Sequence, residues 1–247
     1  MKKFSTLVFL FFILSFNLSA HPTATVNEDR VRVRNAPSIT YSKTLTVVLK
    51  NQSFKIFNKT EDKDTIDGFT SEWYEIKYDD NNYGWIYGAY IDIKNDENDY
   101  IHETTKTEAI TQALYEELYF YFWNGESYNA TINDIKCKNY SLIDTHSYTM
   151  KCSDGTYGTA TQEIYNVDGH IITMGLGWET AIIKKTIPNS FSVKIGMTKE
   201  DLQKMLGPEI KNHYWTYIYG DEACIAFNFE NNILSSIYID RNPFTGD

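Results

Sequence analysis

Between residues 25 and 93 the chain breaks into short runs of alternating apolar and polar residues, each closed by a turn signal. No part of this stretch keeps the three-to-four-residue apolar spacing of a helix, and a period of two belongs to strands. VRVR (31–34) runs into NAPS (35–38), where Pro37 ends the strand and sets a turn. TLTVVL (44–49) and SFKIFNK (53–59) flank a polar turn. EWYEIKY (72–78) is followed by the turn DDNN (79–82) and by YGWIYGAY (83–90). Five short strands in about 70 residues predict a small closed barrel. EDKDTIDG (61–68) is too polar to pack and reads as a loop.

The last run carries two glycines inside a strand, which weakens it unless another backbone must come close. Tyr83, Trp85 and Tyr87 alternate onto one face, with Gly84, Ile86 and Gly88 on the other. Together with Trp73 and Tyr90 these rings are expected to form a shallow groove. Such grooves hold sugars by stacking and peptides by apolar contact with edge hydrogen bonds.

The order of these phrases resembles the bacterial SH3-like (SH3b) domain. That family opens with a V-N-V-R-x-G-P-S type segment and closes with W-x-x-V, then G-W-V-x-x-x-Y-L. Val31, Val33, Pro37, Ser38, Ile76, Gly84, Trp85 and Ile86 fit the pattern, while Arg32 and Ala36 replace the usual Asn and Gly. The resemblance implies a wall component or a protein as the ligand of this half.

KNDENDYIHET (94–104) is acidic, without periodicity, and reads as a linker. From Lys106 the period changes. Ala109, Ile110, Ala113, Leu114, Leu118 and Phe122 predict an amphipathic helix ending near Asn124 and Gly125. Strand-like runs follow at 148–152, 159–167 and 170–178, with a hairpin signal at Asp168-Gly169. In VKIGMTKEDLQKMLGPE (193–209) Thr198 is the expected N-cap, Leu202, Met205 and Leu206 the buried stripe, and Gly207 the stop. Runs at 214–219, 224–230 and 233–239 predict three more strands. Residues 191–240 resemble the BamE and β-lactamase-inhibitor-like helix–meander module, whose phrase is I-G-M-T-x-x-x-V-x-x-L-G-x-P. The expected fold is mostly β with an α+β part: an SH3-like barrel over 25–93, then an α+β domain over 105–247 of helices packed on antiparallel meanders.

Residues 1–20 read as a secretory signal peptide: Lys2 and Lys3, an apolar run from Leu7 to Phe16, and the small pair Ser19-Ala20. His21 stands where a lipoprotein needs cysteine. An exported product, periplasmic or extracellular, is therefore expected, and no later stretch is long and apolar enough to span a bilayer. Losing Lys2 and Lys3 with the leader moves the formal charge from −10 to −12. A chain so acidic repels phosphate backbones, so nucleic acid is not an expected partner.

Three cysteines, Cys137, Cys152 and Cys224, would meet an oxidising compartment. Cys137 and Cys152 flank the turn-like NYSLIDTHS, and a disulfide between them would close a loop of about 16 residues, adding roughly 3 kcal/mol. The series Cys137, His146, Cys152, His170 lacks the tight pairing of zinc ligands, so no metal and no cofactor is expected. Cys152-Ser153 and His170-Ile171 faintly echo the nucleophile and base phrases of NlpC-type cysteine endopeptidases. A catalytic thiolate, however, opens a helix, and TYGTATQEIYNV after Cys152 is strand-like. Glu116-Glu117 on the predicted helix reads as a solvated face. The expected protein is non-catalytic, with a peptidoglycan fragment or an envelope protein as partner. The alternatives are an assembly or interaction factor that does not touch the wall and, more distantly, the endopeptidase.

Overall fold

Val31, Val33, Ile56, Ile76 and Ile86 stand at alternate positions of short strands and all turn inward, where they form one buried cluster with Ala24, Val26, Val48 and Ile91. That cluster is the core of the first half of the computed structural model. The structure describes residues 21–94, 101–123, 132–137, 139–151, 155–175, 178–207, 214–218 and 221–242. The expected leader lies outside the described residues.

The first half comprises β1 (Thr23–Val26), β2 (Val31–Arg34), β3 (Thr44–Val48), β4 (Ser53–Thr60), β5 (Asp64–Ile66), β6 (Phe69–Ser71), β7 (Trp73–Lys77), β8 (Tyr83–Tyr87), β9 (Ile91–Lys94) and β10 (His102–Thr104). The order is β3-β2-β8-β7-β4-β1-β9, with β10 running parallel to β4. The five expected strands are present as β2, β3, β4, β7 and β8. The segment read as a polar loop instead folds into the β5–β6 hairpin, turning at Asp67 and Gly68, both of positive φ. Part of the expected linker, residues 102–104, is a strand, because β4 still offers a free edge there.

The glycines in and just after β8 answer to close packing. A Cβ on Gly84 would lie 2.6 Å from Val33 Cγ1 and 3.1 Å from the Arg34 carbonyl. One on Gly88 would lie 2.8 Å from the Glu72 carbonyl. Both positions need the missing side chain.

The second half begins with α1 (Lys106–Phe122). Thr105 Oγ1 accepts from the Glu108 amide at 3.1 Å and the Glu108 carboxylate accepts from the Thr105 amide at 2.9 Å, a reciprocal capping box. There follow β11 (Tyr140–Lys151), β12 (Tyr157–Val167), β13 (His170–Gly175), β14 (Trp178–Ile183), α2 (Lys199–Leu206), β15 (Tyr214–Ile218), β16 (Asp221–Glu230) and β17 (Ile233–Asn242). Thr198 caps α2 as expected, its hydroxyl accepting from the Asp201 amide. The strands form a single antiparallel sheet in the order β11-β12-β13-β14-β17-β16-β15. The pairing of β14 with β17 joins the two expected meanders into one sheet. Ile110, Leu114, Leu118 and Phe122 of α1, with Leu202 and Leu206 of α2, share one core with Ile172, Ala181, Ile225 and Ile237 of the sheet.

The expected Cys137–Cys152 bridge is not formed: Cys137 is a free thiol. The segment 139–147, read as a turn, is mostly the first part of β11, whose Tyr140 pairs with Val167 and whose Lys151 pairs with Tyr157. An extended strand rises about 3.3 Å per residue, so the two ends of β11, Tyr140 and Lys151, stand roughly 35 Å apart. A disulfide requires Cα atoms within about 7 Å. Cys152 itself lies outside the described residues, as does the side chain of Cys224.

The two halves are fastened to each other. Ala36 and Tyr41, from the loop between β2 and β3, pack into the core of the second half. Lys106 at the start of α1 places its ammonium 2.6 Å from an Asp64 carboxylate oxygen on β5. Among the described residues no helix is long and apolar enough to cross a membrane.

Candidate functional site

The register of β7 and β8 builds the ring face. Trp73 stands opposite Tyr87, Glu75 opposite Trp85, and Lys77 opposite Tyr83. All six lie on one side of the hairpin, because opposed residues share a face. That side meets α1, and the meeting is tight at one end and open at the other.

At the tight end, Trp73 and Tyr87 are each 2% exposed and form a cluster with Trp85 and Ala109 of α1. The Trp73 ring N–H donates to Asp64 at 2.8 Å, and the Tyr87 hydroxyl lies 2.6 Å from the carbonyl oxygens of Asp64 and Phe69. Tyr90 packs edge-on against Tyr87 and its hydroxyl donates to Asp67 at 2.9 Å. These three rings hold the β5–β6 hairpin down. They do not line an open groove, and the hairpin that sequence reading treated as a loop is what covers them.

At the open end, Tyr83 lines a cleft of about 650 Å³ between the barrel and α1, and Trp85, only 5% exposed and packed on Ala109, borders it. Tyr83 is 37% exposed and packs edge-on against Phe57, with the Lys77 ammonium 5.7 Å from its ring centre. The opposite wall is the α1 face bearing Tyr115, Glu116, Tyr119 and Phe120. Of the five expected site rings, then, two border the cleft and three are structural. Glu75, Tyr78 and the α1 residues completed it without being singled out as a site. The available sign was a carboxylate at the centre of the ring-bearing face of EWYEIKY, and α1 had no sequence mark tying it to the barrel.

Two carboxylates of the cleft behave oppositely. Glu117 resists burial through a set of partners: Lys43 Nζ at 2.8 Å, the Ser190 amide at 2.8 Å, the Ser190 hydroxyl at 2.7 Å and the Asn35 amide nitrogen at 3.1 Å. Burial raises its pKa, but these groups outweigh that and hold it below the usual carboxylate range. Glu75 accepts from the Asn58 amide nitrogen. Burial pushes its carboxyl up to about 7, against the Asn58 bond and with the charge of Glu116 adding to the rise.

Glu116-Glu117 is therefore not simply a solvated face. Glu117 is the joint between the halves and Glu116 accepts from Gln112 at 3.3 Å on the cleft wall. His170 is buried at the start of β13, its Nδ1 accepting from the Lys184 amide at 3.3 Å and its ring set edge-on to Phe122. Burial lowers its pKa. No group of side chains suited to hold a metal ion occurs among the described residues.

Neither a curated protein nor a solved structure matches the chain. The model of the bacterial SH3 domain family matches residues 29–92, from the turn before β2 to the start of β9, so one wall of the cleft is SH3-like and the other, α1, lies outside the matched segment.

Proposed function

We propose that this is an exported, non-catalytic binding protein of the bacterial cell envelope that holds a cell-wall fragment between its SH3-like barrel and α1. The observation that carries the reading is the cleft itself, ring-lined on both walls and large enough for a small ligand. Bacterial SH3 domains are generally wall-binding domains, and residues 29–92 match that family. The leader-like residues 1–20 fit a product that meets the wall.

Co-sedimentation of the mature protein with purified peptidoglycan tests this. Wild type is expected in the pellet, and Tyr83→Ala and Phe120→Ala, both at exposed cleft positions, are expected to shift to the supernatant while staying folded. Wild type that stays in the supernatant returns the chain to the alternative, an envelope interaction factor that does not touch the wall. Release of muropeptides by wild type would instead make it an enzyme.

A further inference from the structure

The cleft also specifies the chemistry of its ligand; the inference rests on the cleft reading above. Glu75 reaches the cleft from the middle of β7, beside Trp85 on β8. Its hydrogen-bond partner, Asn58, is neutral. It forms no ion pair among the described residues. The charged groups facing it are Glu116 and Glu117 on α1, Lys43 beside β3 and Lys77 on its own strand; the Lys43 ammonium is engaged by Glu117, and that of Lys77 lies over the Tyr83 ring. The remaining titratable neighbours across the cleft are tyrosines, among them Tyr78, Tyr83 and Tyr115.

A carboxylate withdrawn from water without a counter-charge is costly, and a second carboxylate opposite makes it more so. Protonation relieves that cost, and so does an incoming cation, which leaves the carboxylate charged. A metal ion needs more ligating groups than any cluster of the described residues provides. An organic ammonium needs fewer, and it gains from ring faces within about 6 Å. Trp85, Tyr83 and Phe120 supply such faces around the same space.

We propose that the cleft binds a ligand carrying a primary ammonium group next to an apolar or sugar-ring face, with the ammonium against Glu75 and Glu116 and the body against Trp85 and Tyr83. The ammonium can come from an amino sugar or from an amino-acid side chain.

Calorimetric titration at pH 7 with two matched probe pairs separates these sources. One pair is tetraglucosamine and its fully N-acetylated form. The other is the peptide Ala-Lys-Ala with its N-terminus acetylated, and the same peptide acetylated at Nε as well. At least one free-amine probe is expected to bind ten-fold or more tightly than its acetylated partner, and that pair names the source. Glu75→Gln keeps the shape and the Asn58 bond, and is expected to reduce the preference to less than two-fold. Glu116→Gln should reduce it as well, and thermal melts of both variants confirm that they fold. Equal binding within both pairs, no binding of any probe, or a preference that survives in both variants overturns the inference. The wall reading fails separately, when wild type does not sediment with peptidoglycan. Sedimentation without amine preference leaves that reading standing and removes only this one.

Discussion

The two ends of one ring face, a few residues apart on β7 and β8, have opposite fates. At the Trp73–Tyr87 end the rings are covered by a hairpin and by the first turns of α1, and the carboxylate there, Asp64, is met by the Lys106 ammonium and the Trp73 ring N–H. Beyond Trp85, at the Tyr83 end, a cleft opens, and the carboxylate there, Glu75, has a neutral amide for a partner. Residue type is nearly the same at both ends. What differs is whether a cation from another element arrives. On the proposed reading, the rings beside a carboxylate bind a ligand at the end where the charge is left unanswered and serve structure at the other.

The largest effect should fall on the closed end. Trp73→Ala removes a fully buried indole and leaves Asp64 and Lys106 without its N–H, so a loss of about 4 kcal/mol is expected in urea denaturation. A loss below about 1 kcal/mol would mean that this end is as loosely built as the cleft. Glu117→Ala strips the joint between the halves, stranding the Ser190 amide and Lys43, and should cost about 2 kcal/mol. Limited proteolysis should then cut the chain between barrel and α1 faster than in wild type. Unchanged cutting would show that the apolar packing of Ala36 and Tyr41 alone joins the halves.

Glu75 gives a smaller effect with a definite sign. Its folded pKa is raised from 4.5 to about 7, so its contribution to stability is complete below about pH 4.5 and is lost as the pH rises through 7. Glu75→Gln should match wild type at pH 4 and exceed it at pH 8 by about 1 kcal/mol, after allowance for water in the open cleft. Parallel pH profiles for the two proteins would show that an ion pair already answers this carboxylate. Tyr83→Ala is the smallest change. Its ring is more than a third exposed, so the melting midpoint should move by an amount equivalent to about 0.5 kcal/mol, while peptidoglycan sedimentation falls sharply. A large loss of stability would place Tyr83 with Trp73 and Tyr87 as a structural ring.

What was legible in the sequence was local. The alternation in VRVR, TLTVV and WYEIK, the cap at Thr198 and the Asp168-Gly169 turn with both residues at positive φ all concern neighbours within a few residues or the demands of a single strand. Backbone sterics and side-chain periodicity decide such features, and both are written in consecutive residues. Polar composition misled where pairing overrode it, as in the β5–β6 hairpin and in β11, which reads as a turn through 139–147 yet is held along its length by β12. Tertiary structure alone decided that β14 meets β17, that α1 lies over the barrel, and that Asp64 meets Lys106 while Glu75 meets no cation among the described residues. Burial and charge at a side chain depend on groups tens of residues away, and through-space electrostatics has no period along the chain. The rings came from the sequence; the cleft, and the charge left open within it, came from where the helix settled.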